Sequence, residues 1–151
     1  MRCNRRWRSR RNTCRRRAPT GIPPTTRRSS RAARAASRFY AALASLGREG
    51  LAALVERHCA QARRFAAGLR AAGFGILNDV VLNQVVVDFG DPDRTRRIIE
   101  AIQREGTCWA GVTVWQGRTG MRISVCCWAT TDEDVDRSIA AMIECARAVE
   151  R

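Results

Sequence analysis

From Phe39 onward, apolar positions fall into blocks of two different periods. Leu51, Leu54, Val55, Ala62, Phe65, Ala66 and Leu69 recur at three- and four-residue steps, the spacing of one helix face. Gly73 and Gly75 stop that helix. A shorter helix, Phe39 to Leu46, precedes it and ends at Gly47 or Gly50; Ser30 is the earliest helix start. Ile76-Leu77 is a short strand, broken off at Asn78-Asp79. In the run Val80 to Phe89, Val85, Val87 and Phe89 share one face, which predicts a strand. Asp91-Pro92 predicts an N-cap followed by proline in the first helical turn. Ile98, Ile99 and Ile102 are the buried stripe of that helix, and Gly106 closes it. Val112 to Trp115 and Met121 to Cys126 predict two strands joined across Gly117-Arg118-Thr119-Gly120. Thr130-x-x-Glu133 predicts a capping box for a last helix, with Val135, Ile139, Met142, Ile143, Ala146 and Val149 inward.

The expected fold class is therefore α+β: a small antiparallel or mixed sheet of three or four strands with helices packed on one face. The strand period has a consequence for chemistry. Met121, Ile123 and Val125 point to one side, and Arg122, Ser124 and Cys126 to the other. The apolar side must meet the helices. The other side is too mixed for a second core and calls for a partner, a ligand or water.

Charge divides the chain in two. All 28 cations are Arg and none is Lys. Residues 1–38 hold half of them and no acid, while residues 39–151 set the other half against all 14 acids. The net charge of +14 thus belongs to the first segment, and the rest is charge-balanced. Residues 1–38, with Pro19, Pro23 and Pro24, are too poor in apolar groups to offset the entropy of ordering, so a disordered Arg-rich tail is expected. Such a tail binds nucleic acid non-specifically through counterion release, but Trp7 is its only aromatic. A basic-tailed nucleic-acid-binding module is the alternative function. The cysteines (Cys3, Cys14, Cys59, Cys108, Cys126, Cys127, Cys145) are odd in number, without C-x-x-C spacing and without a signal peptide ahead of them. Reduced thiols in a cytoplasm fit them better than a disulfide scaffold. No apolar run approaches the ~20 residues of a membrane span.

Four segments carry a resemblance. They are Val80-Val81-Leu82-Asn83-Gln84-Val85-Val86-Val87; Gly106-Thr107-Cys108-Trp109; Gly117-Arg118 with Met121-Arg122-Ile123-Ser124-Val125; and Trp128 with Thr130-Thr131 and Asp134-Val135-Asp136. In order and spacing they resemble the C-terminal region of group II pyridoxal-phosphate-dependent amino-acid decarboxylases, of the aspartate aminotransferase family (fold type I). The resemblance covers residues 39–151, the expected small C-terminal lobe. It implies a two-lobed, dimeric lyase whose large lobe bears the cofactor-binding lysine and whose small lobe contacts an amino-acid substrate. Residues 1–38 do not resemble the large lobe, and a frameshifted or mis-called gene start is one reading of them. Cys126-Cys127 stands where relatives carry polar pairs.

Arg122 is the expected substrate-binding residue: the resemblance implies that it grips the substrate carboxylate, for which a guanidinium offers two parallel donors. The competing reading is an exposed strand arginine paired with a surface acid. No residue is assigned a catalytic or cofactor-binding role. Pyridoxal phosphate is the cofactor of the parent family, but it is held as an imine by a lysine amine, and the chain has none. His58, the only histidine, is expected at the boundary of the long helix. Cys126 and Cys127, as strand neighbours, are expected on opposite faces and so unable to share a metal. Cys108-Trp109 and Trp115 are expected as packing or lobe-interface groups. The expectation is a truncated decarboxylase lobe, inactive alone, forming a homodimer or docking as a non-catalytic subunit on an intact paralogue.

Overall fold

The computed structural model describes residues 25–150, with side chains from Ala35 onward. The chain forms two compact units, Met1–Ala41 and Ala42–Arg151. In the first, the described residues are helical from Thr25. Residues 1–24, the greater part of the expected tail, lie outside the described residues, as do Cys3, Trp7 and Cys14.

Helix α1 spans Thr25–Ala71 and starts earlier than Ser30. It is two helices joined at Gly47, whose backbone (φ 63°, ψ −172°) is non-helical. Glycine alone enters that region cheaply, so the break falls at one of the two expected positions. The helix ends in a Schellman motif. Phe74 N–H donates to the Leu69 carbonyl at 3.0 Å, Gly73 N–H donates to Arg70 at 2.9 Å, and Gly73 sits at φ 92°.

β1 (Gly75–Ile76), β2 (Gln84–Asp88), β3 (Gly111–Trp115) and β4 (Arg118–Ser124) form one antiparallel sheet in the order β1-β2-β4-β3. Helix α2 (Pro92–Glu105) links β2 to β3, and α3 (Asp132–Val149) follows β4. The α2 caps are those expected: the Asp91 side chain accepts from Arg94 N–H, and Gly106 closes the helix in the left-handed region.

The core lies between one sheet face and the helices. Val85, Val87, Met121, Ile123 and Val125 meet Ile98, Ile99 and Ile102 of α2, Val135, Met142 and Ala146 of α3, and Ala62, Phe65, Ala66 and Leu69 of α1. Phe74 and Phe89 meet edge to face, ring centres 4.9 Å apart. The α+β expectation holds, with four strands and all pairings antiparallel.

Several details differ from expectation, each for a local reason. Leu51 and Val55 belong to the predicted helical stripe, yet both are exposed; only its C-terminal half, from Ala62, reaches the sheet. The hairpin turn is Gln116-Gly117, not Gly117 to Gly120. Both turn residues have positive φ (48° and 79°), as a two-residue turn of type I′ demands. Gly120 is instead a strand residue. A Cβ there would lie 2.8 Å from Val86 Cγ1 and 3.0 Å from the Val87 carbonyl oxygen, so close packing selects glycine. The capping box is Thr131 with Asp134, one residue later than Thr130 with Glu133. Thr130 is held in the preceding loop: its N–H donates to the Cys127 carbonyl at 3.1 Å, and its own carbonyl accepts from Gln61 at 2.9 Å.

Candidate functional site

Arg122 stands on β4 with its side chain on the sheet face away from the helices. Burial alternates along the strand: Met121 and Ile123 are buried, Arg122 and Ser124 exposed. Register places Val86 on one side of Arg122 and Gly111 on the other. Arg118, Gly120 and Ser124 of β4, Gln84 and Val86 of β2, and Gly111, Thr113 and Trp115 of β3 share that face by strand parity. Val86 is nonetheless buried there, in the patch it forms with Gly120 and Leu77.

Two arginines of this face have different fates. Arg118 forms an ion pair with Asp88, whose side chain is largely buried. Arg122 makes no ion pair and no hydrogen bond with any described residue. The reading of Arg122 as one half of a surface ion pair is therefore not met. It is a free guanidinium on an open, mixed-polarity surface, and such a group is available to an anion from outside.

The segment leading out of this face is held by α1. Arg57 donates to the Trp128 carbonyl at 2.7 Å, and Gln61 to the Thr130 carbonyl. His58 places Nε2 3.2 Å from the Cys127 carbonyl oxygen, which requires the hydrogen on Nε2. Arg64 grips Asp136 through two bonds, at 2.6 and 2.7 Å. One polar stripe of α1 thus fixes the segment from Cys127 to Asp136. Residues 57, 61 and 64 are spaced by helical turns, so the stripe was visible in sequence, although its target was not. His58 is buried rather than at a boundary.

The other cysteine and tryptophan expectations separate. β4 ends at Ser124, so Cys126 and Cys127 are not strand neighbours on opposite faces; both lie beyond the ladder and are exposed. Local hydrogen bonding there runs through the Cys127 carbonyl, not the thiols. Cys108 is half-buried, and burial pushes its thiol up to about 11. Trp109 and Trp128 are about three-quarters exposed and Trp115 is also exposed, so none is packed into this unit.

The residues present do not fit a covalently held pyridoxal phosphate. There is no lysine amine to form an imine. The one imidazole is turned inward onto a backbone carbonyl and cannot stack on a ring at the open face. What the arrangement offers is an exposed cation, without a partner among the described residues, on a face shared with polar groups and Trp115.

No protein-family model matches the chain. Solved structures do. Tryptophan decarboxylase of Catharanthus roseus, in complex with L-tryptophan, matches with TM-score 0.65 and 17% identity, over 70% of this chain and 25% of that one. Tryptophan decarboxylase of Oryza sativa, with pyridoxal phosphate and tryptamine, matches with TM-score 0.67 and 16% identity, over 72% and 26%. The glutamate decarboxylase domain of a Vibrio parahaemolyticus diaminobutyrate-pyruvate transaminase and L-2,4-diaminobutyrate decarboxylase matches with TM-score 0.61 and 16% identity, over 73% and 25%. Over about 70% of its length the fold of this chain resembles the C-terminal quarter of group II pyridoxal-phosphate decarboxylases. The chain spans about a quarter of the length of these structures. Among the described residues no helix is long and apolar enough to cross a membrane.

Proposed function

We propose that this chain serves as the small lobe of a pyridoxal-phosphate-dependent amino-acid decarboxylase, with Arg122 binding the substrate carboxylate. The observation that carries it is the contrast on one sheet face. Arg118 is neutralised by Asp88, while Arg122 is left unpaired in an otherwise ordered surface. The fold likeness supports the reading.

In this arrangement the cofactor would be held by the complementary lobe, where it would supply an electron sink for decarboxylation, and no side chain of these residues would hold it covalently. The amine that holds it comes from outside these residues, and no catalytic step belongs to this chain alone. Its own residues bind and orient. The guanidinium meets two carboxylate oxygens through parallel donors. Strand β4 fixes the arginine's height above the sheet, and the stripe of α1 fixes the loop that follows. The exposed apolar groups Leu46, Leu51 and Val55 of α1 are surface that a covering lobe would bury. That lobe is carried either by another part of the same protein or by an intact paralogue.

Arginine Nε–H resonances read the proposal directly. L-tryptophan at millimolar concentration is expected to shift the Arg122 resonance and leave Arg118 in place, and tryptamine, which lacks the carboxylate, to shift neither. Equal responses from both arginines, or to both ligands, would overturn the assignment. Cofactor added to the same chain is expected to give no borohydride-trappable adduct at an internal residue.

A further inference from the structure

The two edges of the sheet are finished differently. Beyond β2 lies β1, only two residues long. Past it, the Asn78 side chain donates to the Gln84 carbonyl at 3.1 Å and accepts from Val86 N–H at 2.8 Å. A side-chain amide thus covers the backbone of β2 where β1 gives out. Among the described residues the opposite edge, β3, has no such cover. It is five residues of Gly-Val-Thr-Val-Trp, without charge, proline or bulge, and Val112, Val114 and Trp115 are exposed. Natural edges normally carry one of those devices against pairing with another strand.

The hairpin determines what this edge displays. A two-residue turn is closed by a pair that exchanges both backbone bonds, here Trp115 with Arg118. Bonding alternates along an antiparallel ladder, so Thr113 and Gly111 also turn their backbone groups toward β4. Val112 and Val114 therefore turn their N–H and C=O groups outward. An occupant must be an extended strand that supplies donors and acceptors at two-residue spacing.

We propose that the occupant is β3 of a second copy, running antiparallel about a twofold axis at Thr113. The register is self-complementary at every position. Val112 meets Val114 of the second copy, and Val114 meets Val112, so each pair exchanges both free backbone bonds. On the helix side these pairs place exposed valines against exposed valines. On the open face Thr113 meets its own copy, and Trp115 of the second copy stands opposite Gly111. An added Cβ at Gly111 has nothing within 4 Å, so there is room above that glycine for an indole. Pairing of a large aromatic with a strand glycine is a known stabilising arrangement. A one-residue slip would set valines against threonine and destroy the match. The pairing also completes the face described above. Gly111 is the register neighbour of Arg122, so the second copy's Trp115 lies in the same cross-strand row as that guanidinium. The sheet becomes continuous across both copies, and each contributes an aromatic wall to the other's arginine.

The proposal stands independently of the role of Arg122. The full chain is studied by analytical ultracentrifugation from micromolar to hundreds of micromolar. The buffer holds about 0.5 M NaCl, which screens the Arg-rich segment to a few ångströms. Wild type is expected to convert to twice the monomer mass over this range. Gly111→Val fills the space above the glycine, and Thr113→Lys sets like charges together on the axis. Both are expected to remain monomeric at the highest concentration, with an unchanged far-UV spectrum and midpoint of the dilute chain. Arg122→Gln is expected to dimerise as wild type does, so a failed carboxylate reading leaves this one untouched. A wild type that stays monomeric throughout overturns the proposal, as does a dimer that survives both β3 substitutions.

Discussion

Met121 and Arg122 are adjacent on β4, with a single peptide bond between them. Met121 is fully buried against the helices, and Arg122 stands on the open face without a partner among the described residues. The same contrast runs across the sheet, where Val85 and Val87 are covered and Gln84 is exposed. The covered face is over-determined, because each of its residues touches several others and a change in one is felt by all. The open face is determined only at the Gly120–Val86 contact and the Arg118–Asp88 ion pair. The difference teaches that this unit builds its stability on one side of the sheet and leaves polar groups, Arg122 among them, exposed on the other.

The largest effect should separate the two faces outright. Met121→Ala removes a buried side chain and leaves a cavity, at a cost of about 2–5 kcal/mol in urea unfolding. Arg122→Ala, one residue on, should fall within about 0.5 kcal/mol of wild type. Comparable losses in the two variants would mean that the open face is core, and the comparison would fail. Next comes reactivity. At pH 8 a thiol at about 11 is ionised in on the order of one molecule in a thousand, so Cys108 should alkylate slowly. The exposed Cys126 and Cys127 should label at least about tenfold sooner, with Cys59 and Cys145, both buried, last. Peptide-resolved mass spectrometry reads the order. Labelling of Cys108 ahead of Cys126 would show that the covered side opens more readily than its packing implies.

The covered face was legible in the sequence because burial imposes a period. Val85, Val87, Met121, Ile123, Ile98 and Ile102 were all placed inward by spacing alone, and all are buried. The same rule overreached at Leu51 and Val55. Periodicity reports which side of a helix is apolar, not whether anything in this chain covers it. Arg122 was placed on the correct face by parity, but its lack of an acid partner was invisible, since pairing depends on where Asp88 sits across the sheet. The clamp of Arg57, Gln61 and Arg64 on the residues after Cys127 joins positions about seventy apart in sequence; the helical spacing of the three is local, but no local pattern announces their target. The hairpin turn was misplaced because two glycines competed for it. Gly117 is needed for its backbone angle, and Gly120 for the space it leaves.

The smallest effect lies at the junction of the two regions, where the segment leaving the open face enters α3. Thr131 accepts from Asp134 N–H at 3.2 Å, and the Asp134 carboxylate accepts from Thr131 N–H at 3.0 Å. Thr131→Ala should cost about 1 kcal/mol, as loss of an N-cap does elsewhere. The N–H and hydroxyl of Thr131, with Arg137 beside them, hold the Asp134 carboxyl below its usual range. A carboxyl depressed in the folded state binds protons more readily unfolded. Its stabilising effect is therefore complete above the unfolded value of about 3.9 and is lost as pH falls through the lower folded value. Asp136, depressed by Arg64, acts in the same direction. The thermal midpoint should thus decline below about pH 4, and less steeply in Asp134→Asn, which has no proton to gain there. An equal slope in the two proteins would place the acid sensitivity elsewhere, at the Arg64–Asp136 grip of α1 on α3. That would make the clamp, rather than the cap, the element that keeps the connecting segment in place beside the open face.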